Sequence, residues 1–142
     1  MQKNILVNNS PIMKSLKAIL MTLLHLLFFV TIHELGVRLA PLVFETVKSN
    51  LQWGITLKFS LAVFSVLSLI MSLLCEWIDK KKYQNFILIS ACLIFIGIFI
   101  GDTKYTPYRT LLIMLSGSIG LIAPVYIRRK WIFQKNKTIN LP

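Results

Sequence analysis

Phe59-Ser60-Leu61-Ala62-Val63-Phe64-Ser65-Val66-Leu67-Ser68-Leu69-Ile70-Met71-Ser72-Leu73-Leu74-Cys75 runs for seventeen residues without an acid or a base. With Lys58 at one end, whose stem can lie in an apolar zone while its amine reaches out, the run approaches the roughly 20 residues that carry a helix across about 30 Å of hydrocarbon. Three more uncharged runs flank it along the chain: Ala18–His33, Tyr83–Gly101 and Thr110–Ile127. Lys17 extends the first of them as Lys58 extends the second. Hydrophobic residues make up 56 % of the chain and charged residues 15 %, against roughly 25 % charged in a soluble domain. Four such helices buried in a soluble protein would leave almost no polar surface to dissolve it. The expected fold is therefore all-α: one domain over residues 1–142, a four-helix transmembrane bundle with spans near 16–35, 55–77, 83–101 and 109–127.

The first run has the basic lead-in of a signal peptide (Lys3, Lys14, Lys17). No small-x-small cleavage site follows it, however, and the nearest candidate, Arg38-Leu39-Ala40, carries an arginine and precedes Pro41. It reads as a retained span.

The net charge of +11 could point to nucleic acid, but its distribution points to a membrane. Lys3, Lys14 and Lys17, then Lys80, Lys81 and Lys82, then Arg128, Arg129, Lys130, Lys135 and Lys137 all fall on one side of a four-span topology. Arg38, Lys48, Lys58, Lys104 and Arg109 fall on the other. Loop lysines and arginines are retained in the cytoplasm, so both termini are expected there, as an even number of spans requires. A bacterial inner membrane is the expected location. The richer side would attract anionic lipid headgroups, and no aromatic-interleaved basic motif supports a nucleic-acid partner. Cys75 and Cys92 both fall away from an oxidising compartment and lack a CxxC spacing, so they read as packing residues.

Small residues are the expected adhesive between spans, because lipid gives helices little hydrophobic reason to associate. Ala62, Ser65, Ser68, Ser72 and Cys75 share a face of the second span. Ser90, Gly97 and Gly101 share one on the third, where Gly97-Ile98-Phe99-Ile100-Gly101 is a GxxxG. Ser116, Gly120 and Ala123 share one on the fourth. These stripes are expected to pack the bundle internally, with a homodimer seam or a substrate groove as the other readings. Pro124 cannot donate to the Gly120 carbonyl, so a kink is expected there. Trp131 and Phe133 after the basic triplet, with Trp77, Tyr83, Trp53 and Tyr108, fit interfacial anchors.

Between the first two spans, Pro41 suits the first position of a helix. An amphipathic interfacial helix over about 41–52 is expected on the outer face, with Leu42, Val43, Thr46 and Val47 opposite Glu45, Lys48 and Ser49. Asp102–Arg109 reads as a tight polar turn.

In Thr31-Ile32-His33-Glu34-Leu35-Gly36-Val37-Arg38 a zinc protease would read His-Glu-x-x-His, but the fifth position of that motif, counted from His33, is Val37, so the motif fails. No metal, cofactor or catalytic set is expected. His33, Glu34, Arg38, Asp102, Tyr105 and Arg109 form an outer polar cluster that could pair across helix ends, bind an anionic headgroup or partner protein, or carry out acid–base chemistry. His25 lies mid-span, where ionisable groups point to function. A structural hydrogen bond to a neighbouring serine or threonine, or to Thr22, competes there with a proton relay.

Three classes of function follow. The leading one is a small non-enzymatic membrane protein that works by helix–helix association, as a subunit, accessory or immunity-type partner of a membrane complex. The second is a small oligomeric transporter or flippase for a lipid-linked or small substrate. Tyr126-Ile127-Arg128-Arg129-Lys130-Trp131-Ile132-Phe133 resembles the close of the last span in GtrA-like four-span proteins, a family linked to polyprenyl-phosphate sugar translocation. The long first outer segment, and the lack of such a motif after the second span, depart from that family. The third is an enzyme using His33 and Glu34.

Overall fold

A computed structural model describes residues 11–43, 55–78 and 80–139. Four α-helices hold nearly all of them: α1 Pro11–Val43, α2 Ile55–Trp77, α3 Lys81–Phe99 and α4 Pro107–Ile139. A 3-10 segment, Ile100–Lys104, continues α3 into the turn before α4. All four helices are long and apolar enough to cross a membrane. The outer two, at 33 residues each, extend about 50 Å, well beyond the length needed for that purpose.

The helices run alternately up and down. α1 packs against α2 and α4, and α3 packs against α2 and α4 on the other side. At one end, called here the hairpin end, α2 and α3 are joined through Ile78–Lys80. The Gln84 side-chain amide donates to the carbonyls of Cys75, at 3.0 Å, and Ile78, at 2.7 Å. It thereby caps carbonyls that the end of α2 would leave unmet. At the opposite end, the Thr103 hydroxyl closes the 3-10 turn on the Ile100 carbonyl. Thr106 then precedes Pro107 at the first position of α4, where the missing amide costs nothing. The expected polar turn over Asp102–Arg109 is therefore built from a 3-10 segment and a proline-led helix start.

The first helix differs from the expected boundary. It continues through Pro41 to Val43, so Pro41 does not open a new helix. The remainder of the interfacial helix expected over 41–52 lies outside the described residues. α4 likewise continues past Ile127, carrying Arg128, Arg129 and Lys130 in the same helix.

The surface is the inverse of a soluble protein's. Leu20, Leu27, Phe86 and Leu93 are each more than 60 % exposed, while Thr22, His25, His33, Ser60, Ser68, Ser72, Thr110 and Ser116 are buried. Most of the buried and half-buried hydroxyls return to their own helix. Thr22 donates to the Ala18 carbonyl, Ser65 to Leu61, Ser68 to Ser65 and Ser116 to Ile113, which satisfies them without water.

At the centre of the bundle is an aromatic core. Phe29 stacks on Phe64 with ring centroids 4.5 Å apart, and Phe95 meets Phe64 edge-on at 5.6 Å and Phe99 at 5.0 Å. Such pairs add about 0.5–1.5 kcal/mol each beyond the area they bury. Room for them comes from α4: a β-carbon at Gly117 would collide with the Phe95 ring, and one at Gly120 would stand 3.2 Å from the Phe29 backbone.

Candidate functional site

His25 is fully buried on α1 and faces α4. Its Nδ1 lies 2.9 Å from the Gly120 carbonyl oxygen. A carbonyl only accepts, so Nδ1 carries the hydrogen and donates it. In the neutral ring Nε2 is then a bare acceptor. Gly120 is the residue whose carbonyl Pro124, four positions later and buried in α4, cannot serve. The imidazole supplies the donor that the proline removed. An interior polar side chain and an interior proline, each costly alone, therefore compensate each other. Thr22 is not the partner, because its hydroxyl is bonded to Ala18. The His25 Nε2 atom and the Ser72 hydroxyl are buried without a hydrogen-bond partner among the described residues.

The outer cluster is only partly assembled. His33 is buried at 3 % exposure and stacked on Phe29, with ring centroids 6.1 Å apart. Arg109, at the start of α4, is close enough for its charge to act on the His33 ring. Glu34 accepts from the Arg38 Nε at 3.0 Å, one turn along the same helix, so this pair runs along α1 and not across helix ends. Both partners are well exposed, and such an i,i+4 pair contributes about 0.3–0.5 kcal/mol. Asp102 and Tyr105 face outward on the 3-10 turn, and no described ion pair or hydrogen bond joins their side chains to the cluster.

The small-residue stripes divide. Ser116 and Gly120 are buried and Ala123 half-buried on α4, which is where internal packing was expected. On α3 the expectation fails. Gly97 and Gly101 are exposed, and a β-carbon at either would meet nothing within 4 Å. Ser90 is half-buried beside α2. α3 turns Ala91, Phe95 and Phe99 inward instead.

A second polar group, not anticipated from the sequence, lies at the hairpin end. Arg128 of α4 donates from Nη1 to the Glu76 carboxylate of α2, whose side chain is only 9 % exposed. Next to it, Arg129 donates to the Asn85 side-chain oxygen of α3 at 2.6 Å. One turn of α4 thus fastens α2 and α3 together at this end. The available signal was a lone carboxylate, Glu76, inside an apolar helix opposite a pair of arginines. Cys75 and Cys92 are free and half-buried, and no described group of three or more His, Cys, Asp or Glu converges as a metal site would require.

No family model, curated protein or solved structure matches this chain.

Proposed function

We propose that the chain is a small, non-enzymatic integral membrane protein that works by helix–helix association, as a subunit, accessory or immunity-type partner of a membrane complex. In this reading both termini are cytoplasmic, in a bacterial inner membrane. The observation that carries it is the outward-facing Gly97/Gly101 pair. Two glycines one turn apart let another helix approach the α3 backbone closely, and nothing among the described residues uses that approach. The inverted surface supports the membrane setting, and the excess of basic residues at the hairpin end supports the orientation.

A photo-crosslinker placed at Ile98, beside Gly97, tests this in native membranes. A product with a different membrane protein, lost when Gly97 and Gly101 become leucine, is the expected result. Absence of any product would overturn the reading. A ladder of the chain with itself would instead favour a small oligomeric transporter or flippase. That second reading draws on the buried His25 Nε2 and Ser72 hydroxyl, which find no hydrogen-bond partner among the described residues, because polar atoms inside a span are costly unless a function uses them.

A further inference from the structure

A groove of about 180 Å³ opens on the outside of the bundle between α2 and α3, lined by Leu67, Met71, Leu74, Phe86, Ser90 and Ile94 among others. Its walls are almost entirely carbon. Ligand pockets for drug-sized molecules are commonly about 300–1,000 Å³, so this volume suits a single narrow, flexible chain. From Phe86 to Ile94 the groove follows α3 for about 12 Å along the helix axis. Its lower end stops at the hairpin. Lys82 lies one turn beyond Phe86 in the sequence, and Lys80, Lys81 and Lys82 are all exposed. The Lys80 ammonium sits 6.0 Å from the centre of the Tyr83 ring. Asp79 supplies one opposing charge in the sequence of this turn, and Glu76 is already bonded to Arg128. An apolar slot thus ends at a turn with an excess of two positive charges.

Resting on the membrane reading above, we infer that this slot holds one acyl chain of an anionic phospholipid, with the headgroup phosphate drawn to Lys80–Lys82. The apolar walls hold the chain, and the amines select the charge. A neutral lipid of the same chain length gains only the first contribution. The ligand would brace α2 against α3 across a seam that the described residues leave unfilled.

Native mass spectrometry of the detergent-released protein, offered equal amounts of phosphatidylglycerol and phosphatidylcholine with matched acyl chains, tests the inference. The wild type should retain one phosphatidylglycerol in preference to phosphatidylcholine by on the order of a hundredfold, and each lysine neutralised should cost about fivefold of that preference. Replacing all three lysines by glutamine should bring the two lipids to parity, while Ser90→Trp, which fills the groove, should remove retention of both. Leu93→Trp, on the exposed face of the same helix, should behave as wild type and controls for folding. Equal retention by the wild type, or undiminished retention in Ser90→Trp, would overturn the site. So would a dimer without lipid that Ser90→Trp converts to monomer, because a second copy would then occupy the groove. Alkaline extraction keeps the two readings apart: a chain that stays in the membrane pellet but shows no lipid preference loses only this site, whereas a chain washed free loses the membrane reading as well.

Discussion

At the scale of single residues, the most consequential contact is the His25 Nδ1–H donated to the Gly120 carbonyl. Both halves of it could be seen in the sequence: a histidine deep in an apolar run, and a proline that must orphan the carbonyl four residues before it. Their meeting could not be seen, because it depends on how far α1 slides along α4, and that register is set by packing around Phe29 and Gly120. The contact predicts a specific coupling. His25→Leu should lower stability by about 1–2 kcal/mol, since it leaves a buried carbonyl unmet. In a Pro124→Ala background, where the residue 124 amide can serve Gly120 directly, the same substitution should cost little. Thermal unfolding of the four variants in detergent measures this, and equal costs in both backgrounds would show that the two residues act independently. The outer cluster carries a simpler expectation. His33→Ala and Glu34→Ala together should leave crosslinking from Ile98 unchanged, whereas an enzyme built on them would lose its activity.

At the scale of the helix, α3 shows how an apolar element conceals its orientation. Gly97 and Gly101 have the spacing of a packing face, and the sequence reading put them inside. Yet the inward positions are Ala91, Phe95 and Phe99, on a different side of the same helix. When every face is hydrocarbon, hydrophobicity no longer separates interior from exterior, and Phe95 and the exposed Phe86 look alike in the sequence. On α2 and α4 the buried serines kept the orientation legible; α3 has only Ser90. The two glycine environments separate cleanly by experiment. Gly117→Leu should destabilise the isolated protein by about 1–3 kcal/mol through overpacking against Phe95. Gly97→Leu should leave its unfolding midpoint within about 0.5 kcal/mol of wild type while abolishing association. At the hairpin end, Glu76→Gln should cost about 1–2 kcal/mol. The carboxylate is nearly buried, but the exposure of Arg128 dilutes the loss. A melting shift measured in the same detergent checks it.

At the scale of the whole molecule, four apolar helices were legible from run length and charge spacing alone, because each uncharged run is long enough to specify one helix. What escaped was the interior: the aromatic core at the centre, and the fastening of α4 to α2 and α3 through Arg128 and Arg129. These are matters of side-chain complementarity, to which composition is blind. Reporter fusions at the two ends should give the same cytoplasmic signal, and placing acidic residues at 80–82 should weaken that preference. The character of the core also decides how its melting can be watched. Phe29, Phe64, Phe95 and Phe99 meet where the helices converge, whereas Trp77 sits exposed at the hairpin. Emission from the Trp77 indole will therefore report the hairpin and stay nearly silent as the centre loosens. The fine-structured phenylalanine bands of near-ultraviolet circular dichroism are the signal that would fade first.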